Sequence, residues 1–220
     1  IVLNFQDVKD LSPLEFLNNV KEKYNPLVIA SGFNFRFGKN AEGNSDVLLD
    51  FCKKNGIEYR LSNAVMFENA PISSTRIRQA VAKGDVQSAF KMLGRYFSFE
   101  NKVIHGEKRG RIIGFPTINQ PYPKELVVPR FGVYASIVEI DGKTYPAVTD
   151  IGIRPTFKTE YIISETNIID YNGDAYEKSA RISLVQFLRD ETKFGSLNEL
   201  KSAISRHKKK ASEILKNTSV

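Results

Sequence analysis

Two patterns of apolar and polar positions divide the chain near residue 95. Before it, stretches with helical spacing alternate with short apolar runs. In 12–23, Ser12, Pro13 and Glu15 form a helix start, with Ser as cap, Pro at the first helical position and Glu completing a capping box. Leu14, Phe16, Leu17 and Val20 supply a roughly helical apolar face. The run Leu27–Gly32 reads as a buried parallel strand. A helix closed by Gly56 follows, then a short strand at 57–61 and two helices separated by Gly84. This alternation predicts part of a doubly wound α/β unit, too short to be complete.

After residue 95 the signals are those of strands. Candidates lie at 96–105, 132–140, 143–152, 161–171 and 180–188, with Asp141-Gly142 and Asn172-Gly173 as hairpin turns. Five or six strands at this spacing predict a small antiparallel sandwich or barrel. The tail, 195–217, predicts one amphipathic helix. Ser196 and Glu199 form its capping box, and Leu197, Leu200, Ile204, Ala211 and Leu215 its buried stripe.

Composition narrows the chemistry. A single cysteine, Cys52, builds neither a disulfide framework nor a zinc site and suits a reducing, cytoplasmic setting. With only His105 and His207, a histidine-rich metal site is excluded, and an essential metal would be a hard cation held by oxygens. No apolar run is long enough to span a membrane. The net charge of +7 suits nucleic acid and phosphorylated small molecules alike. The cluster at 207–210 lies on the tail helix opposite its apolar stripe, where a solvated face is the simpler reading. Aromatics are not interleaved with cations as in RNA-stacking motifs, so no nucleic-acid partner is expected.

The stretch HGEKRGRIIGFPTIN, 105–119, carries the most specific chemistry. Gly106, Gly110 and Gly114 let backbone approach a ligand, while Lys108, Arg109 and Arg111 can neutralise a polyphosphate. Thr117 and Asn119, two residues apart, share a face in extended backbone and offer a hydroxyl and an amide oxygen to Mg²⁺. The spacing excludes a P-loop. Glycines and cations alone leave an ordinary basic hairpin equally open.

GRIIGFPTIN resembles the signature G-R-x-L-G-F-P-T-A-N of riboflavin kinases. RFGVYA, DIGIRPTF, SETNIIDYNGDAYEK and FLRDETKFGSLNELKSAI resemble further family blocks in the same order, so the resemblance runs from 95 to about 215. It implies a six-stranded antiparallel Greek-key β-barrel with a C-terminal helix, and transfer of the ATP γ-phosphate to the riboflavin 5′-hydroxyl to give FMN. It places Mg²⁺ and the ATP phosphates at Thr117 and Asn119, under a loop that includes Gly106, Arg111 and Gly114. Ile168, Asp170 and Tyr176 would lie near the nucleotide, and Arg189, Thr192 and Phe194 would line the flavin. Glu165 falls on the catalytic glutamate, the base that accepts the hydroxyl proton. Three positions depart from the pattern: Ile118 for Ala, Asp150 for Asn and Asn167 for His.

Residues 1–94 resemble the later part of the FMN adenylyltransferase (FAD synthetase) domain that bacterial members join to this kinase. SGFNFRFGKNAEGN and ISSTRIR carry that resemblance. Ser73, Ser74 and Thr75 would sit at a helix N-terminus, where free N–H groups and the dipole attract a triphosphate, with Arg76 or Arg78 adding charge. A Ser-capped amphipathic helix is the plainer alternative. The family's H-x-G-H-type motif is not in the chain, so the first part of the domain is expected to be missing and FAD formation weak or lost. The expected domains are therefore 1–94, an incomplete adenylyltransferase, and 95–220, the kinase. Riboflavin, FMN and ATP are the expected ligands. A non-catalytic flavin-binding regulator and a nucleic-acid-binding module are the alternatives.

Overall fold

The structure, a computed structural model, describes residues 2–106, 110, 113–155, 160–192 and 194–216. It divides into two compact units, Ile1–Pro71 and Ile72–Val220.

In the first unit, helices α1 (Phe5–Val8) and α2 (Pro13–Tyr24) precede strand β1 (Val28–Gly32); α3 (Ser45–Asn55) then leads to β2 (Glu58–Ser62). β3 (Met66–Phe67) and β4 (Ala70–Pro71) form a small hairpin. The capping box of α2 is present: Ser12 Oγ accepts from the Glu15 N–H and Glu15 accepts from the Ser12 N–H. β1 and β2 pair in parallel around α3, in register from Val28–Glu58 to Gly32–Ser62. Leu17, Phe37, Leu48 and Phe51 make the core, with Ile29 and Tyr59 against it. Leu27–Gly32 is not the fully buried strand that its apolar run predicts. Its positions alternate, Ile29 turned inward and Val28 40% exposed. The two strands bury only one face among the described residues.

The second unit begins with α4 (Ser74–Ala82) and α5 (Val86–Leu93). Composition changes at residue 95, yet these helices pack with the sheet that follows. Val81, Val86 and Ala89 are completely buried in the same core as Phe99, Tyr134, Ile182 and Leu184. The compact boundary thus lies at 71/72, because α4 and α5 turn their apolar faces to the β core.

That sheet has six antiparallel strands: β5 (Phe97–Lys102), β6 (Ile118–Pro121), β7 (Gly132–Ile140), β8 (Lys143–Pro155), β9 (Glu160–Ile168) and β10 (Ser179–Arg189). Their spatial order is β5-β10-β7-β8-β9-β6. β7, β8 and β9 form a meander and β10 returns beside β7, which is a Greek key. Among the described residues one backbone bridge joins the two edges, from Ile104, just past the end of β5, to Asn119 of β6. Asp141 and Gly142 both have positive φ and close the two-residue β7–β8 turn as predicted. Asn172-Gly173 does not make a hairpin. It lies in the 169–178 connection, because β9 and β10 are not neighbours in the sheet.

The C-terminal helix, Leu197–Lys216, starts with Ser196 Oγ accepting from the Glu199 N–H. The Glu199 carboxylate accepts from Gly195 N–H, one residue before the position a capping box requires. Ala211, Ile214 and Leu215 cover Val133, Ala135, Val148 and Ile169 on the outer face of the sheet. Leu197, placed in the buried stripe by spacing, is 64% exposed, since the helix begins ahead of the surface it covers.

Candidate active site

Sheet register assembles the site. Asn119 pairs with Glu165, Glu165 with Asp150, Asp150 with Val133, and Val133 with Arg189. Residues directly opposite across antiparallel strands share a face. One lateral row on the outer face therefore runs Asn119, Glu165, Asp150, Val133, Arg189. The candidate base, an amide oxygen donor and a cation reach this row from three strands, β9, β6 and β10, that do not follow one another in the chain as neighbours in the sheet.

Glu165 accepts a hydrogen bond from Arg154 Nε at 2.9 Å, and the pair is part-exposed. Asp150, one of the departures, faces Glu165. Its Oδ1 is buried without a hydrogen-bond partner. Burial pushes its pKa above the ordinary carboxylate value and Glu191 and Glu165 add to the rise, while Arg154 and Arg189 oppose it.

At the far end of the row the three candidate flavin residues gather. The Arg189 guanidinium lies over the Phe194 ring at 5.2 Å, and the Asp190 carbonyl accepts from both Arg189 Nη1 and Thr192 Oγ1. Arg189 Nε donates to His207 Nε2 on the C-terminal helix at 3.2 Å. Burial lowers the His207 pKa to about 4, assisted by Arg189, Arg206 and Lys210. Behind Arg189, Asp190 is gripped by both arms of Arg130, at 2.7 and 2.8 Å.

A cleft of about 310 Å³ lies at the start of β6. Thr117, Ile118, Thr166, Ile168 and Tyr176 line it, together with part of the 169–178 connection. His105 stacks on Tyr176 at 3.9 Å between ring centroids. From Thr166 a chain of buried hydroxyls runs inward through Thr149 to Ser136, at 2.9 and 2.7 Å. Thr117, Ile168 and Tyr176 thus line one cleft. Asp170 does not join them. It lines a second cavity of about 290 Å³ beside the end of the C-terminal helix, with Tyr145 and Leu215. Asn119 lies in the row with Glu165 rather than on the cleft wall, because the strand starts at Ile118 and Thr117 stands just before it. Ile118 finds its room in the core, 8% exposed.

The glycine loop is fitted to these residues. A Cβ on Gly106 would collide with the Asn119 amide, and one on Gly110 with the Phe115 carbonyl oxygen. The Phe115 N–H donates to the Gly110 carbonyl at 2.8 Å, and Gly114 has φ +85°. Arg111, with Lys108 and Arg109, lies outside the described residues. Asn167, named above only as a departure from the family pattern, donates from Nδ2 to the Pro116 carbonyl at 2.7 Å and so fixes the residue before Thr117. In the α4 region, Ser73 caps the helix by accepting from the Arg76 N–H, Ser74 and Thr75 occupy its first turn, and Arg78 is exposed.

Comparison with known proteins identifies the family. A family model described as riboflavin kinase matches residues 93–215, and one described as FAD synthetase matches residues 1–76. The chain belongs to the riboflavin kinase family. A bifunctional riboflavin kinase/FMN adenylyltransferase of Bacillus subtilis is 34% identical over 98% of this chain and 69% of its own length. Its Escherichia coli K12 counterpart is 38% identical over 84% of this chain and 59% of its own. The Listeria monocytogenes counterpart is 33% identical over 87% of this chain and 61% of its own. The chain spans about three fifths to two thirds of the length of these curated relatives. A crystal structure from Streptococcus pneumoniae superposes with a TM-score of 0.83 at 33% identity, covering 96% of this chain and 66% of the other. That protein is described as a macrolide-efflux protein. In the present chain, no helix among the described residues is long and apolar enough to cross a membrane.

Arg154, Glu191, His207 and Asn167 are the site residues that sequence reasoning passed over. Arg154 and Glu191 lie inside blocks that carry the family resemblance, but only the strand register brings them to Glu165.

Proposed function

We propose that this chain transfers the γ-phosphate of MgATP to the 5′-hydroxyl of riboflavin, giving FMN and ADP. The observation that carries the reading is the row on the outer face. It sets the Glu165 carboxylate directly between Asn119, beside the phosphate loop, and the Asp150–Arg189 side that leads to Phe194 and Thr192. In this reading the flavin lies at the Arg189–Phe194 end and its ribityl chain points along the row. Glu165 accepts the hydroxyl proton as the oxygen attacks the γ-phosphorus, the bond from phosphorus to the bridging β–γ oxygen breaks, and ADP leaves. Gly106, Arg111 and Gly114 cover the phosphates, and Ile168 and Tyr176 hold the adenine side of the cleft. Asp170 serves the nucleotide only from outside the cleft wall.

Thr117 and Asn119 are hard oxygen donors of the kind that suits Mg²⁺, and the described residues contain no cluster of three or more acidic, His or Cys side chains for a metal. The residues fit an ion carried mainly by the nucleotide phosphates, with Thr117 and Asn119 completing its shell. Charge on the transferring group would be offset by that ion when it is bound.

For residues 1–94 we propose part of an FMN adenylyltransferase domain, with Ser73, Ser74, Thr75 and Arg78 facing a triphosphate at the start of α4. Chromatography of riboflavin, FMN and FAD after incubation with MgATP tests both assignments. FMN must form, and Glu165→Gln must lower its rate by about 10²-fold or more. A folded protein that makes no FMN refutes the kinase reading, while FAD reports separately on the first 94 residues.

A further inference from the structure

The candidate base is not free-standing. Glu165 Oε1 accepts from Arg154 Nε, and the other side of the same guanidinium lies toward Glu191, with Nη1 3.8 Å from Glu191 Oε1. Register explains the reach. Arg154 pairs with Tyr161, four residues before Glu165 on the same face of β9, so its side chain runs back along the sheet past Gly152. Gly152 is where Glu191 enters, and a Cβ there would collide with the Glu191 carboxylate. The missing side chain at 152 therefore lets a carboxylate from beyond β10 meet an arginine of β8.

A guanidinium is planar, with donors fixed on separate edges. Nε donates to Glu165, while Glu191, 3.8 Å from Nη1, adds an ion-pair contact on another edge without a hydrogen bond. Among the described residues, Glu165 Oε2 accepts no hydrogen bond, so the arginine occupies one oxygen and leaves the other available. Stability does not account for this arrangement. Arg154, Glu165 and Glu191 side chains are 39%, 34% and 42% exposed, and part-exposed pairs of this kind contribute about 1 kcal/mol or less.

We propose that Arg154, with the Glu191 carboxylate beside it across Gly152, is a positioning residue that holds the Glu165 carboxylate so that Oε2 takes the substrate proton. This rests on Glu165 being the base. Misplacing a catalytic group by about 1 Å costs roughly 10²-fold in rate, whereas losing a part-exposed ion pair costs little stability.

The test is steady-state kinetics of FMN formation by the full chain. Arg154→Ala is expected to lower kcat about 10- to 100-fold, with KM for riboflavin and MgATP within about twofold and an unchanged melting temperature. Arg154→Lys should keep more of the rate, and Glu191→Gln should lose less than Arg154→Ala. Added guanidinium chloride should restore part of the Arg154→Ala rate, and equal sodium chloride or urea should not. In the Arg154→Ala, Glu165→Gln double variant the loss should stay close to that of Glu165→Gln alone, because the arginine acts through the carboxylate. An unchanged kcat in Arg154→Ala overturns the proposal, as do losses that multiply in the double variant. Full activity of Glu165→Gln alone would instead remove the base assignment on which the proposal stands.

Discussion

His207 couples the Arg189 end of the row to pH. It accepts from Arg189 Nε, so its Nε2 must be unprotonated for the contact to exist. Its pKa is held at about 4 in the folded protein against an ordinary value of 6.5. Between those values the unfolded chain binds a proton that the folded chain does not, so stability rises with pH across that window. The contribution is complete above pH 6.5 and is lost as pH falls through about 4. The separation caps it at about 3 kcal/mol, at ~1.4 kcal/mol per pH unit. Partial solvent access of the ring brings the expected value down to roughly 1–2 kcal/mol. The perturbation is His207→Gln, which can still accept from Arg189 but does not titrate. Urea unfolding of both proteins at pH 7.5 and pH 4.5 isolates the difference. The wild type should lose about 1–2 kcal/mol more than the variant on acidification, and the riboflavin KM of the wild type should rise more steeply. Since the chain has only two histidines, an NMR titration follows the ring directly. A His207 midpoint at or above 6.5, or identical acid losses in the two proteins, would refute the reasoning.

Two further outcomes follow from the cleft. Asn167→Ala removes the donor on the Pro116 carbonyl and should raise the MgATP KM about 5- to 10-fold with little effect on the riboflavin KM, a loss of about 1 kcal/mol read by initial rates. Gly106→Ala places a methyl group against the Asn119 amide, and should lower kcat while calorimetry shows a melting temperature reduced by only a few degrees.

The parts of the molecule visible in the sequence are those encoded by neighbours along the chain. Ser12, Pro13 and Glu15 specify a helix start within four residues, and the structure contains it. Asp141-Gly142 specifies a turn because two positive φ angles suit those residues. Asn172-Gly173 carries the same local signal, but the strands on either side belong to different places in the sheet, so no hairpin forms. Leu197 has the right period and the wrong position relative to the surface beneath it. Arg189, Thr192 and Phe194 were named through family resemblance, and their close spacing puts Arg189 over Phe194 and both Arg189 and Thr192 on the Asp190 carbonyl. The pairings of Glu165 with Asp150, Asn119 and Arg154 were not legible, since each depends on a register between strands that no local pattern records. Asp170 followed the same rule. Family resemblance placed it near the nucleotide; in the structure it stands at a positive-φ position and lines the neighbouring cavity.

The meeting of β5 and β6 differs from every other strand contact in the sheet. It has one backbone bridge, at Asn119, and Pro121 has no N–H to extend the ladder. Amide side chains close the rest: buried Gln120 donates from Nε2 to the carbonyls of Asn101 and Ala180, at 2.5 and 2.8 Å, and Asn101 donates back to the Pro121 carbonyl at 3.1 Å. A barrel fastened by ladders has a fixed circumference. Here the seam beside Asn119 is specified mainly by the side chains of Gln120 and Asn101, whereas the other five strand pairings are backbone ladders.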